Sequence, residues 1–509
     1  MRGTPSIVLA LALLFFLSTV AAAPQGPPVT FEEHKVPDTT ASEPTIGIPW
    51  TTNSVFFHIG SQTWRARFDD AGRPTWVDVT APHQIPVNVD PMLIADVDTG
   101  RVFAGGLHGI CSVMLYSDDD GESWTNTINM CSGPNFDHQS IGSGPPRGSL
   151  PRLDEYPHTA YYCAQGGTIS CARSADGGRT WLPFQDVPDG CGGFHGHIRV
   201  SPTGFVAIPV GDCGDQHGFI SSADGGLSWQ TNEIPGTEKW SNGFDPSLQF
   251  TRPSAWMYYA MASEHGIHVA LTKTEGRTWE PLGQGHGRED QWLNISNLHD
   301  PPIVAGAFTN VQAGDDDRVA LTFFGLEGGP GADVAWLGTE NIYQCDERQD
   351  ELVWRAYYAV SYDAGRSWDV GRISDDPVQI GGVYDVVVDG SGDCRNLLDF
   401  NDMDIDSKGR IFYGIGDGCV DECAAAQTPN TTGWRENEPR LFRQVSGLGL
   451  FAQFDEELAS APPIAGAPGP GGGTVRPGND GGINGIPAVG GILVIAVLVL
   501  LVSVTRRRV

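Results

Sequence analysis

Imidazoles, guanidinium groups and carboxylates recur at one kind of place in this chain, just before or just inside short apolar runs. They are His138, His195, His197, Arg199, Asp245, His299, Asp300, Arg395, Asp399, Asn401 and Asp402. Neutral imidazoles with carboxylates can exchange protons, hydrogen-bond a polar ligand, or hold zinc or manganese. Calcium would take the carboxylates and leave the imidazoles idle. A divalent cation is therefore the one cofactor these residue types can hold, and nothing in the chain requires it. Arg199 follows His197 by two positions, so on a strand both face the same way. An Asp-Pro or His-Asp-Pro step before a strand is also ordinary turn chemistry. Turn chemistry does not call for histidine in separate places, so the set as a whole predicts a polar pocket.

What must position them is a repeat. The pattern Ser-x-Asp-x-Gly-x-Ser/Thr-Trp occupies residues 117–124, 174–181, 222–229 and 361–368. A copy at 272–279 has Thr274 in the Asp place, and a further one, 70–76, carries an extra residue. The aspartates of the four full copies are Asp119, Asp176, Asp224 and Asp363. A carboxylate here can accept backbone N–H groups while Gly takes positive φ. The pattern thus closes a hairpin, and its Trp packs on a neighbouring strand. It carries no chemistry.

These turns are the Asp-box, or BNR repeat, and residues 44–445 resemble the sialidase-like propeller superfamily. Four further stretches resemble exported prokaryotic sialidase-like proteins. They are Asp137-His138-Gln139-Ser140-Ile141-Gly142, Tyr161-Tyr162-Cys163, Phe194-His195-Gly196-His197 and the run from Cys394 to Asp402. The resemblance implies an all-β β-propeller of four-stranded antiparallel blades over residues 29–447. Blade starts fall near Glu43, Asp90, His138, His195, Asp245, Asp300 and Asn401, which makes seven blades. Six, the number typical of the superfamily's enzymes, is the alternative. The sixth blade carries an insertion over 328–352. The seventh has strands at 403–406, 410–414 and 440–445, and its fourth strand is expected from residues 29–36, closing the ring. Blade starts would then gather around the channel mouth on the face opposite the Asp-boxes. Asp315, Asp316 and Asp317 fall on the other face, as a solvated turn.

The ends and the composition set the surroundings. Residues 1–22 read as a signal peptide, with Arg2 before an apolar core and small residues at the cut. Residues 459–485 are an Ala/Pro/Gly-rich tether. Residues 486–505 hold an apolar run, 486–504, of about 28 Å as a helix, against a bilayer core of about 30 Å. It reads as a transmembrane helix or a cleavable sorting tail, and 506–509 is a basic cytoplasmic end. The expected location is the cell surface, with the propeller outside. Net charge is −31, with lysine only at 35, 239, 273 and 408, which argues against nucleic acid as a partner. Ten cysteines in an exported chain imply disulfides. The expected pairs are Cys163–Cys171, Cys191–Cys213 and Cys419–Cys423, then Cys111–Cys131 and Cys345–Cys394. Sequons at Asn294 and Asn430 permit glycans.

Enzymes of the superfamily use three arginines on a substrate carboxylate, a Tyr/Glu nucleophile pair and an Asp acid/base. The early Arg-Ile-Pro motif is replaced here by Ile46-Gly47-Ile48-Pro49. Arg152, Arg199, Arg252, Arg355 and Arg395 form no recognisable triad, and Tyr156 with Glu155 is the one candidate for the pair. The reading that follows is a cell-surface module binding a carbohydrate, an extracellular protein or a metal-bound ligand at its channel mouth. The alternative is an exo-sialidase or related glycoside hydrolase. A third reading is hydrolysis assisted by a bound metal. The catalytic residues and any metal ligands are left unassigned.

Overall fold

The computed structural model describes residues 27–37, 43–82, 89–108, 111–127, 131, 137–148, 155–166, 168–188, 190–214, 216–237, 245–282, 292–337, 339, 348–383, 397, 401–426 and 437–460. The expected signal peptide, almost all of the expected tether, the C-terminal apolar run, Arg395, Asp399, Asn430 and the expected Cys345–Cys394 pair lie outside them. Among the described residues no helix is long and apolar enough to cross a membrane.

Seven separate antiparallel sheets form, each built on four strands, in sequence order in six of them and with an N-terminal strand added in the seventh. The protein is an all-β propeller of seven blades, not six. The first strands of blades I to VI are Thr45–Gly47, Val89–Ala95, Asp137–Gly144, Gly192–His195 continued by Arg199–Val200, Ser247–Phe250 and Ile303–Ala313. Blade VII begins with Asp402–Ile405. A cavity of about 120 Å³ is lined by Ile46, Ile94, Ile141, Ile198, Gln249, Gln312 and Met403, one from the first strand or its continuation in each blade. The first strands therefore ring a central channel. The middle strands are buried on both faces between neighbouring blades, as in Val55–Ile59 and Met257–Ser263. That explains why they read as unbroken apolar runs and not as alternation.

The N-terminal segment closes the ring. Thr30–Lys35 pairs antiparallel with Glu438–Ser446, with Phe31 opposite Gln444 and Lys35 opposite Arg440. Val29, Phe31 and Val36 are buried there. At about 1.5–3 kcal/mol for each large apolar side chain, this burial outweighs any propensity of so short a segment. The 328–352 insertion falls where expected, between Val319–Glu327 and Val353–Ser361.

The Ser-x-Asp turns occupy equivalent places between third and fourth strands. In the first, Ser123 N and Ser123 Oγ donate to Asp119 at 2.8 and 2.5 Å, and Gly121 N donates to Ser117 Oγ at 2.9 Å. Asp176, Asp224 and Asp363 repeat the pattern, and the Thr274 hydroxyl substitutes for it in blade V. Gly121 sits at φ 83° against Phe56 of the preceding blade, leaving no room for a Cβ. Cys111–Cys131, Cys163–Cys171, Cys191–Cys213 and Cys419–Cys423 are disulfide-bonded. The Asp315–Asp317 turn is not simply solvated. Asp315 Oδ2 accepts from Ala452 N at 2.7 Å and Asp316 Oδ1 from Thr251 Oγ1 at 2.7 Å, so it docks the C-terminal segment and a neighbouring turn.

First strands of adjacent blades share no ladder, so backbone groups facing the channel need other partners. Side chains of the neighbouring blade supply them. Ser140 Oγ accepts from Ile198 N at 2.8 Å, and Ser247 Oγ from Val311 N at 3.2 Å. Gln312 Nε2 donates to Met403 O at 2.9 Å. Asp402 and Asp404 accept from Ile46 N and Ile48 N of blade I at 3.0 and 2.8 Å. The last two join the two ends of the ring a second time.

Candidate functional site

The channel has two mouths. First strands end on the face that carries the Ser-x-Asp turns, here the turn face, and begin on the opposite start face.

At the turn-face mouth the polar groups that line the channel bond one another. Asp96 Oδ2 accepts from Tyr156 Oη at 2.5 Å and Ser143 Oγ at 2.7 Å, with His158 Nδ1 at 2.7 Å. Its other oxygen accepts from Asp98 N and Thr99 N, both at 3.2 Å. Burial pushes this carboxyl up, but His158, Tyr156 and Ser143 more than offset it and hold the group below the ordinary carboxylate range. Arg252 of blade V reaches across to pair with Asp98 of blade II, and its guanidinium lies 5.3 Å from the Trp50 ring centre. Asp96, Asp98 and His158 are the one trio among the described residues with metal-ligand spacing. Their lone pairs already serve Tyr156, Ser143, two backbone N–H groups and Arg252, so the trio reads as a structural clasp. Tyr156 Oη is committed to Asp96.

The middle of the channel is different. Arg199 lines both the central cavity and a smaller one at the start face. Its Nη1 approaches its own neighbour's carbonyl, Ile198 O, at 3.5 Å. No carboxylate lies within 4 Å among the described residues, and Nε is buried without a hydrogen-bond partner. Burial pulls the guanidinium below its ordinary pKa, and the charges of Asp402 and Asp404 push back. Burial raises Asp402 to about 6, against Arg199 and the N–H groups of Ile46 and Met403. Asp404 is raised to about 7 by burial, with Asp402 adding to the shift.

At the start face, His197, Arg199, Asp245, Phe308, Asn310 and Asn401 line one cavity. His138 Nδ1 lies 3.3 Å from Asp245 Oδ1, joining blade III to the start of blade V. The His138 and His195 rings are 6.2 Å apart, edge to face. His195 Nδ1 is 3.0 Å from Gly196 O, while its Nε2 is buried without a hydrogen-bond partner. Burial lowers His195 to about 4 and His197 to about 3, so both rings are neutral near pH 7. Three non-glycine residues here take left-handed backbone: Asp90 (φ 48°), His138 (φ 47°) and Phe308 (φ 53°). Each lies within a register shift of its first strand. Bulges and such φ values concentrate at sites that aim a side chain.

Of the sequence-predicted set, the structure gathers His138, His195, His197, Arg199, Asp245, Asn401 and Asp402 around one end of the channel. It does not bring His299 or Asp300 there. His299 Nδ1 lies 2.7 Å from Pro301 O and its ring packs 5.3 Å from Tyr357, and Asp300 is exposed. Blade VI explains the difference. Its first strand runs Ile303–Ala313 with two register shifts, so channel-facing residues begin at Phe308 and not at the strand's start. Asp404, Phe308 and Asn310 were not anticipated. Asp404 was reachable, because it lies two positions from Asp402 and so shares its strand face. Asn310 was not, because its direction follows from a bulge. No arginine triad forms among the described residues: Arg252 serves Asp98, and Arg355 Nε donates to Asp375 O at 3.1 Å. The Asn294 side chain caps a 3-10 turn, accepting from Ser296 N at 3.0 Å and donating to His265 O at 2.8 Å, which disfavours glycosylation at that sequon.

No family model matches the chain, and no curated protein does. Solved structures share the fold at low identity. A structure of YCF48 bound to D1 peptide is 14% identical, over 84% of this chain and 99% of that chain, with a TM-score of 0.43. The Hadza microbial sialidase Hz136 is 14% identical over 56% of this chain and 63% of its own, at 0.36. The Penicillium chrysogenum alpha-L-arabinanase complexed with arabinobiose is 12% identical over 60% and 94%, at 0.33. The likeness is one of fold.

Proposed function

We propose that this chain is an exported, membrane-tethered Asp-box propeller that binds a polar ligand, a carbohydrate in the first instance, at the start-face mouth of its channel. The observation that carries this reading is Arg199. Arg199, its Nε buried without a hydrogen-bond partner and no carboxylate within 4 Å of it among the described residues, shares a cavity with His197, Asp245, Asn310 and Asn401, a set that offers donors to a ligand's acceptors. Sugar hydroxyls and acidic sugar substituents supply such acceptors. Binding without hydrolysis fits the commitments of the carboxylates. Asp402 and Asp404 each accept two backbone N–H groups and hold the ring closed. The turn-face Tyr is committed as well.

A glycosidase reading is favoured by one observation. Asp402 and Asp404, raised toward neutrality in a channel, are carboxylic acids of the kind that donate a proton to a leaving group. A glycan array probed with the purified chain, run beside fluorogenic glycosides including sialosides, separates the two. The proposal expects retention of a saccharide by the wild type, its loss in Arg199→Ala, and no turnover. Hydrolysis abolished by Asp402→Asn would replace it with the enzyme.

A further inference from the structure

A second surface lies away from the channel, where blade III meets blade IV on the turn side. A cavity of about 250 Å³ opens there between the outer strands of blade III and the Ser-x-Asp turn of blade IV. It is lined by Arg173, Leu182, Pro183, Phe184, Gln185 and Trp229. Leu182 is 45% exposed, and Leu227, next to the lining residue Gly226, is 51% exposed.

A single exposed leucine means little. Here the repeat supplies its own control. The residue after the turn Trp is Thr125, Gln230, Glu280 or Asp369 in four blades, and Leu182 in blade III. The residue two places before that Trp is Glu122, Arg179, Arg277 or Arg366 in four blades, and Leu227 in blade IV. The residue before the motif is Tyr116, Ser221, Leu271 or Val360 elsewhere, and Arg173 in blade III. All three departures from the pattern meet at one blade boundary. Folding does not ask for them, because blades II, V and VI fold with polar groups at both leucine positions; the irregular blade I copy, with Val77 after its Trp, is the exception.

Arg173 adds a direction. Nη1 donates to Gly225 O at 2.9 Å, and no carboxylate among the described residues pairs with it. The chain has 62 acidic and 31 basic residues, so a cationic group at the groove contrasts with the acidic surface around it. The groove is thus apolar with one cationic end, set in an acidic surface. Its apolar rim joins aliphatic Leu182 and Pro183 to the half-buried ring of Phe184, and Trp229 is only 8% exposed. These features fit an aliphatic or aromatic side chain of a peptide with a carboxylate close by.

We infer that the groove between blades III and IV docks an acidic, apolar segment of a partner protein through Leu182, Phe184 and Arg173. The test is a selection from a randomised peptide library on the purified full-length chain. Peptides that join Asp or Glu to Leu or Phe are expected to enrich. The affinity of a synthetic enriched peptide should fall about tenfold or more with Arg173→Glu and with Leu182→Asp, and hold with Arg199→Ala. Leu182 is exposed, so Leu182→Asp should keep the wild-type melting midpoint, and Arg173→Gln guards against a folding defect in Arg173→Glu. Failure to enrich such peptides, an affinity unmoved by both groove variants, or equal binding of the Asn/Gln form of the peptide would overturn the inference. So would a saccharide whose binding is lost in Leu182→Asp, since the occupant would then be a glycan.

Discussion

The two mouths of the channel are built from the same residue types and do opposite things with them. At the turn face, Asp96, Asp98, His158, Tyr156 and Arg252 bond one another, and blades II, III and V are strapped together as a result. At the start face and in the channel behind it, Arg199 Nε and His195 Nε2 are buried without a hydrogen-bond partner. Buried polar groups in native proteins are almost always satisfied, and the exceptions concentrate where a ligand completes them. A His/Asp/Arg cluster alone therefore does not mark a site. The difference lies in which lone pairs and N–H groups are already spent.

Changes at the two mouths should accordingly differ in kind, and the largest effect is expected at the turn face. Asp96→Ala strips partners from Tyr156, Ser143 and His158 at once. It should cost roughly 3–5 kcal/mol in urea unfolding. A loss under about 1 kcal/mol would mean that this mouth is no clasp.

Next comes a pH effect at ring closure. Asp404 is raised by burial to about 7, so the folded state holds its proton more tightly than the unfolded chain does. Its contribution is fully present below the unfolded value near 4 and is lost as pH rises through about 7. Asp404→Asn removes that loss. The melting midpoint of the variant should gain on the wild type from pH 4.5 to pH 8, and a relative fall would refute the account. His195 and His197, lowered to about 4 and about 3, act in the opposite sense. Their stability is present above the unfolded histidine value near 6.5 and is lost as pH falls toward 4 and below. The two slopes offset in the wild type, which is why the variant difference is the quantity to measure.

Arg252→Ala removes a partly exposed pair and should cost less than about 1 kcal/mol. Binding at the start face should be unmoved. The smallest change in stability is expected for Arg199→Ala, since no ion pair is broken.

Much of this architecture was legible in the chain. The Trp-ending turns marked third and fourth strands, the apolar runs marked middle strands, and the missing strand of blade VII pointed to residues 29–36. The start face was legible as far as strand order alone decides it, which gathered His138, His195, His197 and Asp245. His299 and Asp300 were misplaced, because two bulges in Ile303–Ala313 move the mouth several residues along the strand. Nor did the residue types show that Asp402 and Asp404 would be held by blade I backbone. That follows from sheets that abut without pairing, which no local pattern encodes.

The account rests on Arg199 being a ligand contact and Arg252 a strut. Isothermal titration of the saccharide that the glycan array identifies, against Arg199→Ala and Arg252→Ala side by side, tests this most directly. Arg199→Ala should lose roughly 2–5 kcal/mol of binding free energy while keeping its melting midpoint, and Arg252→Ala should bind as the wild type does. Equal binding by Arg199→Ala, or a loss confined to Arg252→Ala, would contradict the assignment of the two mouths.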